Sequence, residues 1–351
     1  MKVCYFGVYN PKYPRNAVII KGLKKNGVEV VECNAWPAKG LGKYFTLARK
    51  LLAEARGCDV LLAGFPGHSS LILAKLLFLN KKIVFDPCYS LFEMSVYDCL
   101  RSRFHYRSLI YYAQDFLAFK LADHVIIPTK QDQDYFAKRF FGSRTGKFSV
   151  IPIGADNEIF LRKEKGSQSS RNRFLVHFHG TFYKLHGVEH ILRAAHILRN
   201  EPIEFNIAGK GLFFEGMRRL ANELKIKNVN FLGWVRYGDL PALISSADVC
   251  LGLFGSEEKA GRAVPNKVFE CMAMGRAVLT RESPAVDEYF KNGEDILTCK
   301  PASPDDLAEK ILLLYRNEEM RERIAENGYK KYMESFTPVA IGRELKKYLS
   351  E

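Results

Sequence analysis

The chain alternates short runs of β-branched and aromatic residues with longer segments of helical periodicity, and it does so twice. In the first half, strands are expected at Lys2–Gly7, Val28–Cys33, Asp59–Ala63, Ile83–Phe85, His124–Ile127 and Phe148–Ile151. Helices are expected between them, over 16–26, 41–56, 69–79 and 130–141, with one long aromatic-rich helix from Val96 to Leu121. Strand–helix alternation of this kind implies a parallel sheet with helices on both faces. The pattern lapses into the polar, Ser-rich EKGSQSSRN and then restarts, with strands at Phe174–His179, Ile203–Ala208, Val229–Leu232, Val249–Leu253, Ala277–Thr280 and near Asp295–Thr298. Three helices close the chain between Pro304 and Tyr348.

The expected fold class is therefore α/β: two doubly wound, Rossmann-like domains facing across a cleft. The first covers 1–153, the linker 154–172 and the second 173–336, with the C-terminal helix 337–351 expected to pack back on the first. Open α/β sheets bind ligands beyond the carboxyl ends of their strands. A chain of 351 residues suits two such domains.

Charge changes this picture more than composition does. Residues 1–166 hold 26 Lys/Arg against 14 Asp/Glu, and residues 167–351 hold 27 against 25, so nearly all of the net +14 belongs to one domain. Such a domain should meet something anionic. The eight cysteines are scattered without a CxxC pair, which argues against a disulfide framework or a zinc site and suits a reducing compartment. The apolar run after Met1 is too short for a signal peptide. The longest apolar stretch, Leu71 to Leu79, is interrupted by Lys75, so no membrane span is expected. The expected location is cytoplasmic, peripheral at the inner membrane face. The segment 101–120 interleaves cations with aromatics; an ordinary domain helix with a solvated basic face is the favoured reading over an interfacial helix.

The second half carries the candidate chemistry. NIAGKG (206–211) ends a strand with Gly209 and Gly211 around Lys210, and NVNFLGWV (228–235) ends another. SADVCLGLF (246–254) leads into a loop that reaches PNKVFECMAMGRAV (265–278). Pro265 suits the first turn of a helix, which would leave the amides of Asn266 and Lys267 open to an anion. Arg262 and Lys267 would add full charges, and Glu270, one turn on, could accept two hydroxyl hydrogen bonds of the kind a ribose offers. His68 in GFPGHSS and Asp86 in VFDPCYS sit at strand ends and are candidates for acceptor or donor-sugar contacts, against turn or capping roles. The DxD string Asp132-Gln133-Asp134 lies in the first turn of a helix after Thr129, where acids have a helix-dipole explanation, so no metal is expected. HGVEH is not HExxH, and structural roles are the default for His177, His190 and His196. Neither GVYNPKYP nor GKGLFFEG fits GxGxxG, no P-loop is present, and no nucleic-acid module is visible.

The ordered set NIAGKG, FLGWV, SADVCL and PNKVFECMAMGRAV resembles the nucleotide domain of retaining glycosyltransferases of family four, on the GT-B architecture. IPIGADNEIF (151–160) and GTFYKLHGVEHILRAA (180–195) agree with it in order and spacing, and the first half matches more loosely. The resemblance implies a UDP- or GDP-sugar donor whose ribose meets Glu270, and a phosphate turn at Gly180 and Thr181. It also implies a facing loop near Gly7, with Gly209 and Val235 among the nucleotide contacts. Where family members carry a further glutamate, this chain has Arg262, and Thr181 and His186 replace the usual basic pair after Gly180, with Lys184 as a substitute cation. Arg262, Lys184 and His186 are thus the candidate catalytic residues. The implied acceptor is a glycan or lipid-linked glycan, with contact to an anionic membrane. Two other readings stay open: a sugar-nucleotide hydrolase or 2-epimerase on the same scaffold, and a non-enzymatic basic binding protein.

Overall fold

A computed structural model describes residues 1–162 and 173–350 of the chain. They divide into two compact units, Met1–Gly154 with residues 336–350, and Ala155–Ser335. The part of the expected linker over 163–172 lies outside the described residues.

The first unit holds six strands, β1 (Lys2–Gly7), β2 (Glu29–Asn34), β3 (Val60–Ala63), β4 (Lys82–Phe85), β5 (His124–Ile127) and β6 (Phe148–Val150). All pairings are parallel, in the order β2-β1-β3-β4-β5-β6. Alternate side chains face opposite ways along a strand. Cys4, Phe6, Leu61 and Phe85 therefore meet helices Gly42–Glu54, His68–Leu77, Tyr106–Leu121 and Lys130–Phe141 through Leu51, Leu71, Phe119 and Phe136. Val3, Tyr5, Leu62 and Val84 face the other way, toward helices Pro14–Lys25 and Pro338–Ser350.

Those last two helices cross where glycines meet. A Cβ on Gly342 would lie 2.1 Å from the Gly22 carbonyl carbon, and one on Gly22 would lie 2.2 Å from Pro338 O. The backbones touch because neither residue has a side chain. Gly342→Ala should therefore cost about 1–3 kcal/mol by forcing the helices apart. Urea unfolding measures it, and an unchanged midpoint would show that the crossing is looser than described.

The expected single helix from Val96 to Leu121 is broken. A wide turn over Met94–Asp98 ends at Cys99, and Leu100 adopts a φ of 52° that a right-handed helix cannot hold. The helix restarts at Tyr106, where His105 is the N-cap and its Nδ1 accepts from the Arg107 amide at 3.2 Å. Aromatic and basic periodicity runs straight through this break, so pattern alone does not reveal it.

The second unit repeats the layering with β7 (Phe174–His179), β8 (Ile203–Ala208), β9 (Val229–Gly233), β10 (Val249–Leu251), β11 (Ala277–Arg281) and β12 (Leu297–Cys299). They run in the order β12-β11-β10-β7-β8-β9. Numbered from β7, this is the 3-2-1-4-5-6 order of a doubly wound sheet, and its strand order reverses between β7 and β10. Phe178, Phe205, Leu251 and Leu279 sit in its core with Leu192 and Leu314.

Candidate functional site

The reversal between β7 and β10 leaves a crevice at their carboxyl ends. Gly180 follows β7 with a φ of +154°, and Gly209 follows β8 with a φ of +139°. The two turns touch backbone to backbone: Gly180 N donates to Ala208 O at 3.0 Å, and a Cβ on Gly209 would fall 1.9 Å from Gly180 O. Beside them opens a pocket of about 190 Å³ lined by His179, Gly180, Thr181, Gly209, Lys210, Trp234, Val235 and Leu240. Four of the sequence candidates, Gly180, Thr181, Gly209 and Val235, thus share one wall.

Against the Gly180 turn lies a buried cation. Lys267 is only 4% exposed, its Nζ stands 4.0 Å from the Phe178 ring centroid, and that nitrogen has no hydrogen-bond partner among the described residues. A Cβ on Gly180 would come within 2.8 Å of Lys267 Nζ and 3.0 Å of His186 Cε1. Burial pushes the Lys267 amine down to about 7, against smaller opposing pulls from Cys271 and Glu270. His186 is held well below the ordinary imidazole range by burial and by Lys267. It is a neutral ring at pH 7.

Helix Asn266–Ala273 begins one residue later than expected: Pro265 is its N-cap, with a ψ of 156°. The Val268 amide bonds to Pro265 O at 3.0 Å, while a helix start leaves the amides of Asn266 and Lys267 without intrahelical acceptors. The turn 184–187 is tied to the loop after β10, because Phe254 N donates to His186 O at 3.2 Å and Gly255 N to Leu185 O at 3.1 Å. Arg262 ends the short helix beyond this loop, largely buried, with its guanidinium 3.3 Å from Glu258 Oε1. Lys184 is exposed and lies 3.3 Å from Glu257 Oε1. Both expected cations therefore carry a carboxylate with them.

Glu270 departs from the expectation of an open carboxylate. It is 3% exposed, and both oxygens are engaged: Tyr237 Oη donates to Oε1 at 2.9 Å, and His179 Nε2 lies 2.9 Å from Oε2. His177 Nε2 lies in turn 3.1 Å from His179 Nδ1. The proton positions follow from the partners. A carboxylate only accepts, so His179 carries a proton on Nε2; in the neutral ring its Nδ1 then accepts from His177 Nε2. Burial, with Glu270 beside it, raises the Tyr237 hydroxyl far above the usual phenol range, so it stays a donor. Burial holds His177 neutral as well.

His179 and Tyr237 are the site residues that sequence reasoning passed over. A signal existed for the first: His179 is the last residue of β7, directly before the positive-φ Gly180, where a side chain of that strand end reaches the crevice. Tyr237 lies in a loop beyond β9, and nothing in its local sequence marks the contact.

The remaining candidates lie in the first unit. Gly7 ends β1 with a φ of +149° and packs near Tyr9 and Gly64. Asp86 is fully buried against an equally buried Arg15, with Nε donating to Oδ2 at 2.9 Å, while Arg15 also donates to Ile151 O and Pro152 O. His68 is 1% exposed, with Nε2 3.2 Å from Asp115 Oδ1 and its ring edge-on to Phe85. Both candidates for a sugar contact are thus enclosed, Asp86 by its ion pair with Arg15 and His68 between Asp115 and Phe85. In Asp132-Gln133-Asp134, the Asp132 amide bonds to Thr129 Oγ1 at 3.1 Å, the N-cap geometry expected of that string.

Comparison with known proteins gives these features a context. Residues 160–331 match the model of the glycosyl transferases group 1 family. An uncharacterized glycosyltransferase of Methanocaldococcus jannaschii is 26% identical over 282 residues, covering 79% of this chain and 70% of its own. The putative colanic acid biosynthesis glycosyl transferase WcaI of Escherichia coli is 27% identical over 161 residues, 44% of this chain and 39% of its own. Among solved structures, Anabaena HepE in complex with UDP and glucose superposes with a TM-score of 0.74 at 18% identity, covering 100% of this chain and 99% of its own. The sucrose-phosphate synthase of Thermosynechococcus elongatus also reaches 0.74, at 15% identity, covering 100% and 98%. Both likenesses show the fold, two doubly wound units of the GT-B type. Residues 160–331, which carry the Gly180 turn and helix Asn266–Ala273, are thus similar to the glycosyl transferases of group 1, whose model they match.

Proposed function

We propose that the protein transfers a sugar from a UDP- or GDP-sugar to an acceptor hydroxyl, with retention and without a resident metal. The observation that carries this reading is the buried Lys267 ammonium, without a hydrogen-bond partner among the described residues, against the Gly180 turn and beside a pocket lined by Gly180, Thr181 and Gly209. Departure of a nucleoside diphosphate leaves about two to three negative charges that need preorganised cations and helix-end amides. Lys267 and the amides of Asn266 and Lys267 supply both. HepE structures hold UDP and UDP-glucose, which supports UDP as the nucleotide. The acceptor attacks on the face that the diphosphate leaves, and a departing phosphate oxygen takes its proton, so no dedicated protein base is required. A glycan or lipid-linked glycan is the proposed acceptor. The basic first unit supports contact with an anionic membrane at its cytoplasmic face.

A thermal-shift panel of UDP, GDP, ADP and their sugars tests the reading. A ligand at about 100 times its dissociation constant stabilises the fold by about 2.7 kcal/mol, and the expected responders are the UDP or GDP compounds. Absence of any nucleotide shift would sink the proposal. Stoichiometric free UDP, or an epimerised sugar, formed without acceptor would reassign the site to hydrolysis or 2-epimerisation.

A further inference from the structure

The exposed large apolar side chains of the first unit gather on one of its two helix layers. Phe45 on helix Gly42–Glu54 and Leu76 on helix His68–Leu77 are 76% and 73% exposed. The neighbouring helix Tyr106–Leu121 presents Tyr106, Leu109, Ile110, Phe116 and Leu117 to solvent, and Phe104 just before it is 79% exposed. Spacings of three, four and seven residues put these five on one stripe. On the opposite layer, helices Pro14–Lys25 and Pro338–Ser350, Val339 is the one large apolar side chain of comparable exposure among the described residues.

Helix Tyr106–Leu121 buries Ser108, Asp115, Ala118 and Phe119 and leaves its apolar stripe exposed, with Arg107 and Lys120 on the same outward side. Asp115 is satisfied inside, accepting from Ser90 Oγ and from the amides of Leu91 and Phe92. It is the only acid between residues 99 and 121, so the outward stripe is flanked by cations alone: Arg101, Arg103, Arg107 and Lys120. Lys120 lies over the rings of Phe116 and Phe141, its stem along the apolar surface.

We propose that this helix layer, centred on Tyr106–Leu121 and the loop before it, docks on an anionic lipid bilayer. The proposal rests on the membrane contact put forward above and gives it a place. An apolar stripe enters the headgroup boundary, and flanking arginines pair with anionic lipid at its rim. A second copy of the chain fits worse, since an isologous contact through the stripe would bring two cation-flanked surfaces together while the one acid of the segment, Asp115, is buried.

Vesicle co-sedimentation of the full chain, without nucleotide, tests the surface. The protein should pellet with phosphatidylcholine vesicles containing a third phosphatidylglycerol, stay in solution with phosphatidylcholine alone, and be released by high salt. The double variants Leu109→Glu/Ile110→Glu and Arg103→Glu/Arg107→Glu change exposed positions and should keep the wild-type melting temperature. Each should partition about tenfold more weakly. Equal partition of wild type into both vesicle types overturns the proposal, as does wild-type partition by both variants. A wild-type dimer in sedimentation equilibrium that Leu109→Glu/Ile110→Glu dissociates would assign the stripe to a second copy instead. The nucleotide panel reads the second unit, so its failure and the failure of vesicle binding are separate results.

Discussion

Lys267→Met should melt at a higher temperature than the wild type at pH 6 and fail to respond to the nucleotide that shifts the wild type. Both halves follow from one nitrogen. In the unfolded chain the Lys267 amine keeps its proton up to about its ordinary 10.5, whereas burial lowers it to about 7 in the fold. The unfolded state therefore binds more protons between those values, so stability rises with pH across the window, and the penalty is fully present below pH 7. Replacing the ammonium by a thioether of similar length should recover about 3 kcal/mol at pH 6, with the gain fading toward pH 10. The same change removes the cation proposed to face the diphosphate. In the wild type at pH 8, donor binding should recharge Lys267 and take up a proton, visible as a binding heat that varies with the ionisation enthalpy of the buffer. A Met variant no more stable than wild type at pH 6, or a binding heat independent of buffer, would remove the buried charge from this account.

Glu270→Ala is the second large effect. It strips the acceptor from Tyr237 Oη and His179 Nε2 together, in a region where neither finds water easily. One buried and one half-buried donor left without an acceptor, with the lost side chain, should cost about 2–4 kcal/mol, read by urea unfolding. Glu270→Gln keeps an acceptor oxygen for Tyr237 and turns an amide N–H toward His179, which meets it by moving its proton to Nδ1 with His177 Nε2 accepting; with that shift the variant should stay within about 1 kcal/mol of wild type. The pair separates two roles. If Glu270 only braces the β7 end, Gln restores nucleotide affinity; if its charge also orients the donor, Gln stays stable yet binds about tenfold more weakly. An Ala variant as stable as wild type would contradict the bonded chain described here.

The strands were legible because parallel strands buried on both faces read as continuous apolar runs, as in Val60–Ala63. Gly180 and Gly209 were legible because turns at a strand end need backbone conformations that few residues adopt, and the PNK loop because proline suits a helix start. What stayed hidden depends on three-dimensional neighbours. Nothing local to Lys267 says that Phe178, seated at the far side of a β-strand, will hold its ammonium away from water. Asp86 looks like a ligand in one dimension and becomes a partner for Arg15, 71 residues earlier, once the sheet is assembled. The basic, aromatic segment 101–120 favoured a wet outer face by residue type alone. Which apolar residues of the segment stay outside, Leu109 and Ile110 among them, depends on the helix's neighbours and not on residue type.

The glycine crossing of helices Pro14–Lys25 and Pro338–Ser350 bears on how the chain leaves the ribosome. Translation proceeds from the amino end, so β1 to β6 emerge long before the segment that covers part of their sheet. Through the making of the entire intervening unit, the apolar surface around Val18, Ile19 and Leu23 stays without its cover. A chain stalled before residue 336 would present that bare surface to chaperones, while residues 155–335 are already complete.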